Sequence, residues 1–217
     1  MTWTIGFDLD MTLIDSRPGI ALAIDTVATE FDLPVRGADI AQRLGPPMDM
    51  LLADAGAPAD LIPAMVARYR QLYPTVVSRI PALPGAATAL AAVAARGGRV
   101  VIVTGKHRPL AELHVSELGW HVDHLAGDLW SAGKADALRE QRADVFVGDH
   151  AGDMRGARAA GVFAVGVTTG PCDAEELRTA GADVVLDDLT EFPDWLAAYD
   201  DSAPASEPIL ARGLDNH

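Results

Sequence analysis

The chain of 217 residues contains one cysteine, Cys172, and few basic residues. A lone thiol cannot form an internal disulfide, and low cysteine content is typical of proteins in a reducing, intracellular compartment. Seventeen Lys and Arg residues stand against 31 Asp and Glu, which gives a formal net charge of −14. Sequence-independent binding to nucleic acid or to an anionic membrane needs a basic surface, so we expect neither as a partner.

Long apolar runs and a recognisable leader are also missing. Met1–Trp3 carries no basic residue, and the apolar run after it is interrupted by Asp8 and Asp10. The longest mildly apolar run, Ala86–Ala95, is shorter than the roughly 20 residues that cross a bilayer. We therefore expect a cytoplasmic protein without a signal peptide or a transmembrane segment.

The sequence does contain two kinds of segment that alternate along the chain. Short apolar runs, rich in β-branched residues, are followed by stretches with helical spacing that end before glycine. This alternation predicts an α/β fold with a doubly wound, Rossmann-like parallel sheet. The predicted strands are Thr4–Phe7, Val100–Val103, Val145–Val147, Phe163–Val167 and Val184–Leu186, and the predicted helices between them are Ala86–Ala95, Pro109–Leu118, Ala135–Gln141 and Met154–Ala160.

Residues 16–80 break the alternation, because they contain helical patterns and no convincing strand. We predict a core made of residues 1–15 and 81–199, with residues 16–80 inserted as a helical cap. Residues 200–217 are polar and lack a sustained period, so we expect a flexible tail. The helices predicted in the insertion are Pro18–Phe31, Asp39–Arg43, Met48–Ala55 and Asp60–Tyr73.

The most informative segment follows the first predicted strand and contains Asp8 and Asp10. The two-residue period of a strand puts both carboxylates on one side, at the carboxyl end where open α/β sheets bind ligands. Neighbouring carboxylates repel each other, and Mg²⁺, which binds carboxylate oxygens, water and substrate phosphate, relieves that repulsion. The alternative is that both residues only cap the next turn.

A second predicted strand, Val145–Val147, also ends in carboxylates. Gly148 and Asp149 follow it directly, and Asp153 lies four residues further on, in the first turn of the next helix. We expect Asp149 to reach the same sheet edge as Asp8. Asp153 could instead be a helix cap that benefits from the helix dipole.

Two further segments carry groups that suit an anion. Thr104 and Gly105 end a strand, and a hydroxyl with the following backbone N–H groups can hold an anion there. Lys134 begins a predicted helix and is one of only two lysines, the other being Lys106, beside fifteen arginines. A compact ammonium is a good partner for phosphate or carboxylate, although a solvated lysine is the alternative for either.

Together these segments resemble the signatures of the haloacid dehalogenase superfamily of hydrolases, over nearly all of residues 4–190. The phosphatase branch of that superfamily fits best. The segment after Asp10 and the helical insertion resemble the phosphoglycolate-phosphatase-like group, whose insertion is a mobile helical cap. The matching residues are Asp8, Asp10 and Thr12 in the first signature, Thr104 in the second, Lys134 in the third, and Asp149 and Asp153 in the fourth.

The resemblance implies an enzyme that transfers a phosphoryl group in two steps. Asp8 would attack phosphorus to form an aspartyl-phosphate, which water then hydrolyses. Asp10 would protonate the leaving alcohol and later deprotonate the water. Thr104, the Gly105 N–H and Lys134 would neutralise the phosphoryl oxygens.

The resemblance also implies a Mg²⁺ cofactor. Its ligands would be Asp8, the backbone carbonyl of Asp10, Asp149 and Asp153. The expected partner is a small phosphorylated metabolite, and the protein is expected to be a monomer or a homodimer.

Two arginines of the predicted cap are candidates to bind the substrate, and one residue of the turn after Asp8 departs from the family pattern. Arg17 and Arg43 of the cap are candidates to bind a carboxylate or second phosphate of the substrate, with a surface role as the alternative. Met11 occupies a position where the group usually has glycine, which puts the flexibility of that turn in question.

Other functions remain open at this stage. A β-phosphoglucomutase-type phosphotransferase uses the same four signatures. A haloacid dehalogenase shares the nucleophile but needs neither Asp10 nor a metal, and a signalling receiver domain lacks an insertion as long as residues 16–80. A catalytically silent interaction protein with the same fold is the alternative outside the enzymes.

Overall fold

A computed structural model describes residues 3–202, and within this range the chain forms one parallel sheet of six strands between layers of helices. The strand order is β3-β2-β1-β4-β5-β6, and all neighbouring strands are parallel. The strands are β1 (Thr4–Phe7), β2 (Arg99–Val103), β3 (His124–Ala126), β4 (Val145–Gly148), β5 (Phe163–Val167) and β6 (Val184–Leu186).

The helices divide into those that flank the sheet and those of the segment between β1 and β2. The first four lie in the predicted insertion: α1 (Arg17–Glu30), α2 (Gly37–Ala41), α3 (Met48–Asp54) and α4 (Ile62–Leu72). The others flank the sheet: α5 (Ala86–Ala95), α6 (Arg108–Glu117), α7 (Lys134–Glu140), α8 (Ala151–Ala160), α9 (Ala174–Ala180) and α10 (Phe192–Ser202).

β1 lies in the middle of the sheet, where helices cover both of its faces, and its residues after Thr4 are apolar. All four of its residues are buried, and Ile5 pairs with Val100 of β2 on one side and with Val145 of β4 on the other. This register brings the carboxyl ends of β1, β2 and β4 to one edge of the sheet. The polar residues that follow these strands therefore become neighbours.

The helical insertion is joined to the sheet by two adjacent chain segments. The Asp15 amide donates a hydrogen bond to the Pro81 carbonyl, and the Leu83 amide donates one to the Leu13 carbonyl, both at 2.9 Å. Between these junctions the chain forms helices and short 3₁₀ turns without a strand. The predicted α/β fold with an inserted helical cap is thus confirmed.

The structure differs from the sequence prediction at one strand, at α9 and α10, which were not among the predicted helices, and at the chain end. β3 was not predicted, because its three residues are only partly buried and include a histidine, which leaves no apolar run to detect. The last helix continues to Ser202, so it includes the first residues of the predicted tail 200–217, while residues 203–217 lie outside the described part. Among the described helices, none combines the length and apolar character needed to cross a membrane.

A close helix contact inside the insertion gives a first prediction. A Cβ atom on Gly37 would lie 2.1 Å from the carbonyl oxygen of Ala21 in α1, and backbone cannot move aside as a side chain can. We expect Gly37→Ala to lower the free energy of unfolding by about 1–3 kcal/mol through overpacking. Chemical denaturation measures this loss.

Gly133→Ala is the matched control, since a Cβ there meets no atom within 4 Å. Equal midpoints for the two variants would show that the α1–α2 contact is not as close as described.

Candidate active site

The first part of the site is the turn that follows β1. Asp8 is 3% exposed, and its backbone N–H donates to the Val147 carbonyl of β4 at 2.8 Å, which continues the sheet pairing by one residue. The strand therefore fixes the direction of the Asp8 carboxylate. Asp10 follows on the same side, as the strand period predicts, and both residues line one cavity.

β4 and α8 contribute the second part. Asp149 is 1% exposed, and one of its oxygens accepts a hydrogen bond from the Thr12 hydroxyl at 2.7 Å. Asp153 lies in the first turn of α8 and accepts from the His150 N–H at 3.1 Å. A side chain at Gly148 would collide with Asp153, because a Cβ there would lie 2.4 Å from the Asp153 Cβ.

Asp153 therefore combines the two roles that the sequence left open. It belongs to the N-terminal cap of α8, and it also faces the other carboxylates. Oxygen atoms of Asp8, Asp149 and Asp153, one from each, all lie within 4.8 Å of one another.

Lys134 supplies positive charge to this trio. Its ammonium is fully buried and donates to Asp8 at 2.9 Å and to Asp153 at 2.6 Å. Burial lowers the pKa of Lys134, but the Coulombic attraction of Asp153 and Asp8 more than reverses this, so the pKa lies above its usual value. Lys134 therefore remains charged, and its ion pairs connect Asp8, at the end of β1, to Asp153 of α8.

One ammonium does not neutralise the trio. Burial raises the pKa of Asp8 to about 6 despite the opposing attraction of Lys134, with repulsion from Asp153 adding to the rise. Burial, followed by repulsion from Asp153 and Asp8, raises the pKa of Asp149 well above its usual range. The second oxygen of Asp149 is buried and has no hydrogen-bond partner.

These features fit a divalent cation. The trio offers only carboxylate oxygens, which suit a hard ion such as Mg²⁺. Such an ion would supply the missing positive charge and a partner for the orphaned Asp149 oxygen. The Asp10 carboxylate lies elsewhere, on Lys106, so Asp10 could contribute only its backbone carbonyl, as the family resemblance implies.

Thr104 and Gly105 lie at the end of β2 and line the same cavity as Asp8. The Thr104 hydroxyl oxygen accepts from the Lys106 N–H at 3.2 Å, so its own hydrogen can be donated elsewhere. The backbone of Gly105 packs close to the insertion, since a Cβ there would lie 2.9 Å from the Gly45 carbonyl oxygen. Both residues are therefore placed to meet an anion that approaches Asp8.

The cavity has a volume of about 820 Å³ and lies between the sheet edge and the insertion. Its floor is formed by residues of the sheet edge, including Asp8. Its other walls come from α3, α4 and the loop before α3, for example Pro46, Met50 and Val66. This volume falls within the usual range for small-molecule sites.

Lys106 is a site residue that the sequence singled out only as a rare lysine. Its ammonium binds both Asp10 oxygens, at 2.8 and 3.1 Å, and lies 4.4 Å from the centre of the Tyr73 ring. The Tyr73 hydroxyl lies 2.6 Å from His114 Nε2. The scarcity of lysine was the signal that could have identified Lys106.

The structure does not bring Arg17 or Arg43 into the cavity. The Arg17 side chain binds Asp15 at 2.7 Å and is half exposed, and Arg43 donates to the carbonyl of Asp39 in its own helical segment. The arginine that does line the cavity is Arg70 of α4. Helical spacing alone did not reveal which face of each helix points inward.

Met11 and His114 also have unexpected environments. Met11 has φ +63°, the left-handed conformation that glycine adopts without strain, yet its side chain is 1% exposed. His114 is fully buried, where burial and the positive charge of Lys106 lower its pKa to about 4. It is therefore neutral at physiological pH.

Comparisons with known protein families match most of the chain. A family model for haloacid dehalogenase-like hydrolases matches residues 5–158, and a related hydrolase model matches residues 134–192. A phosphoglycolate phosphatase from Caulobacter vibrioides is 31% identical, with 93% of this chain and 94% of that protein covered. A phosphoglycolate phosphatase from Rhodospirillum rubrum is 33% identical over 88% of this chain and 89% of that protein.

Solved structures show the same fold. A haloacid dehalogenase-like family hydrolase from Streptococcus pneumoniae superposes with a TM-score of 0.78 at 25% identity, covering 92% of this chain and 98% of that one. CbbY from Rhodobacter sphaeroides, solved in complex with phosphate, gives a TM-score of 0.74 at 23% identity, covering 88% and 96%. Because the identity to CbbY is lower, that comparison supports only a shared fold.

The unbalanced charge of the trio gives a prediction about stability. Asp149→Asn removes one buried negative charge while its amide oxygen can still accept from Thr12. We expect the metal-free variant to be more stable than the metal-free wild type by about 1–2 kcal/mol, since an uncompensated buried charge is lost. Added Mg²⁺ should raise the melting temperature of the wild type by mass action, and that of the variant much less.

Differential scanning fluorimetry with EDTA or Mg²⁺ measures both effects. Asp54→Asn, at an exposed position of α3, removes the same charge outside the trio and should keep the full response to Mg²⁺. An equal Mg²⁺ response in Asp149→Asn would show that the trio is not the metal site.

Proposed function

Because the chain belongs to the haloacid dehalogenase-like hydrolases and is a phosphatase of that family, we propose that it hydrolyses a small organic phosphate monoester through a phosphorylated Asp8. The observation that carries this proposal is the placement of Asp8. Its carboxylate lies on the cavity, bound to Lys134 and next to Asp149 and Asp153, at the carboxyl end of the central strand.

In the first step an Asp8 oxygen forms a bond to phosphorus while the bond from phosphorus to the leaving oxygen breaks. β1 holds the carboxylate at a fixed position, which reduces the entropic cost of the attack. In the second step water attacks the phosphorus of the acyl phosphate, and the Asp8 carboxylate is released together with inorganic phosphate. Splitting the reaction in this way replaces one difficult step by two easier ones.

Asp10 transfers the protons. It donates one to the leaving oxygen in the first step and accepts one from the attacking water in the second. Asp10 suits this role because its carboxylate lines the cavity and is partly exposed, whereas Asp8 is buried.

Three groups hold the phosphoryl oxygens during transfer. The Thr104 hydroxyl and the backbone N–H of Gly105 donate hydrogen bonds, and Lys134 supplies positive charge. When bound by Asp8, Asp149 and Asp153, with the Asp10 carbonyl, Mg²⁺ would neutralise negative charge on the phosphoryl group. Lys134 at the same time keeps Asp8 oriented through their hydrogen bond of 2.9 Å.

The substrate enters the cavity beneath the insertion, which we assign as a cap over residues 16–80, with residues 1–15 and 81–199 as the core. 2-Phosphoglycolate is the first substrate to test, because the relatives at 31% and 33% identity are named for its hydrolysis. Release of inorganic phosphate, as opposed to a phosphorylated product, separates a hydrolase from a phosphomutase.

The role of Asp8 gives the next prediction. Asp8→Asn replaces the nucleophile by an amide and should lower kcat for p-nitrophenyl phosphate with Mg²⁺ by about 10³-fold or more, as loss of a nucleophile does. Absorbance of p-nitrophenolate measures the rate. Asp54→Asn should keep the wild-type rate, and a wild-type rate in Asp8→Asn would refute the assignment.

The double role of Asp10 gives a separate prediction. p-Nitrophenolate leaves without needing a proton, but the second step still needs a base. Asp10→Asn should therefore release about one equivalent of p-nitrophenolate per active site in a burst and then turn over slowly, as expected for accumulation of a covalent intermediate. Stopped-flow absorbance records this burst, and slow linear release from the first turnover would contradict it.

A further inference from the structure

The chain has fifteen arginines but only two lysines, and each lysine binds one of the two aspartates that follow β1. Lys134 binds Asp8, the proposed nucleophile. Lys106 binds Asp10, the proposed acid and base. Lys134 and both aspartates are among the residues that match the family signatures, whereas Lys106 is not.

The contact between Lys106 and Asp10 fixes a direction as well as a distance. The ammonium donates to both carboxylate oxygens, at 2.8 and 3.1 Å. The side chain of Lys106 is 3% exposed and that of Asp10 is 14% exposed, so water competes little for either group. A carboxylate held through both oxygens cannot rotate freely about its last bond.

Lys106 is itself held from the other side by the insertion. Its ammonium lies 4.4 Å from the centre of the Tyr73 ring, a cation–π contact in a site with little water. Tyr73 follows α4 and is fully buried, and its hydroxyl is bound to the buried His114 of α6 at 2.6 Å. The Asp10 carboxylate is thus connected through Lys106 and Tyr73 to both the insertion and α6.

A lysine suits this position better than an arginine. An ammonium is compact and can direct two N–H groups at Asp10 while its positive charge faces the ring. A guanidinium is a larger planar fork with five N–H donors, so it would meet Asp10 and Tyr73 with a different geometry.

We propose that Lys106 is a positioning residue for acid–base catalysis, which holds the Asp10 carboxylate towards the leaving group of the substrate. The proposal rests on the proposed function, in which Asp10 protonates that leaving group. Loss of Lys106 should then slow hydrolysis most for substrates whose leaving group must be protonated. A lysine that only filled buried space would affect all substrates equally.

The test compares two leaving groups. An alkyl phosphate needs a proton on its leaving oxygen, whereas p-nitrophenyl phosphate does not. The alkyl substrate is whichever of 2-phosphoglycolate and glycerol 3-phosphate the wild type hydrolyses faster. The value of kcat/KM reports the first phosphoryl transfer for both, so the ratio of the alkyl to the aryl value isolates the effect of protonation.

We expect Lys106→Met to lower this ratio by about ten- to a hundredfold, a part of the 10²–10⁴-fold that general acid catalysis contributes. Lys106→Arg, which keeps the charge, should restore part of the ratio. Combining Lys106→Met with Asp10→Asn should lower the ratio no further than Asp10→Asn alone, because residues that act through one another are not additive.

Arg68→Met is the control for loss of a positive charge, since Arg68 binds Glu30 on the surface of the insertion. It should leave the ratio at its wild-type value. Circular dichroism checks folding, and if Lys106→Met does not fold, Lys106→Gln, which removes the charge but keeps N–H donors, is compared in its place.

Equal losses on both substrates would overturn the proposal, as would an unchanged ratio or a further loss of the ratio in the double variant. These outcomes leave the proposed function intact, because the wild type still hydrolyses its substrates. If the wild type with Mg²⁺ hydrolyses neither the alkyl nor the aryl phosphate, the proposed function and this inference both fail.

Discussion

The arrangement of the site depends on one electrostatic constraint, the burial of Asp8, Asp149 and Asp153 around the single ammonium of Lys134. Carboxylates this close repel one another, and burial strengthens the repulsion because water no longer screens it. Burial raises the pKa of Asp8 and of Asp149, and repulsion between the carboxylates adds to the rise. A cluster of this kind is a poor way to stabilise a fold. A divalent cation bound by the trio would supply the missing positive charge, and the same charge would then attract a phosphate into an otherwise acidic protein.

The topology of the sheet is what makes the cluster possible. β1 lies between β2 and β4, so the residues that follow three adjacent strands meet at one edge, with Asp8 in the centre, Thr104 on one side and Asp149 on the other. Helices α7 and α8 then begin at this edge and add Lys134 and Asp153. The insertion begins soon after the end of β1, and its helices therefore lie above the same edge. The positions of Asp8, of the charged groups around it and of the insertion thus follow from one strand order.

The parts of the site that the sequence predicted are those governed by local backbone rules. Strand ends and helix starts are visible as patterns, and they located Asp8, Thr104, Lys134 and Asp149 at the sheet edge. Side-chain partners across the fold are not visible in this way, and for that reason the contact of Lys106 with Asp10 was missed. The helical spacing in the sequence also did not predict which face of each insertion helix points towards the cavity. The arginines of the insertion that were expected to bind substrate, Arg17 and Arg43, therefore lie outside the cavity that Arg70 lines.

The turn between the two aspartates shows how local strain and burial offset each other. The left-handed conformation of Met11 costs an ordinary residue about 1–2 kcal/mol, whereas burial of a methionine side chain returns about 1.5–3 kcal/mol. The Met11 amide also donates to the Ile14 carbonyl at 2.8 Å, and its carbonyl accepts from the Thr169 hydroxyl at 2.5 Å. The turn is therefore anchored by its own side chain, by its backbone and by the loop after β5. Asp8 is thus fixed by the end of β1, and Asp10 is held by this turn and by Lys106, which in turn contacts Tyr73 of the insertion.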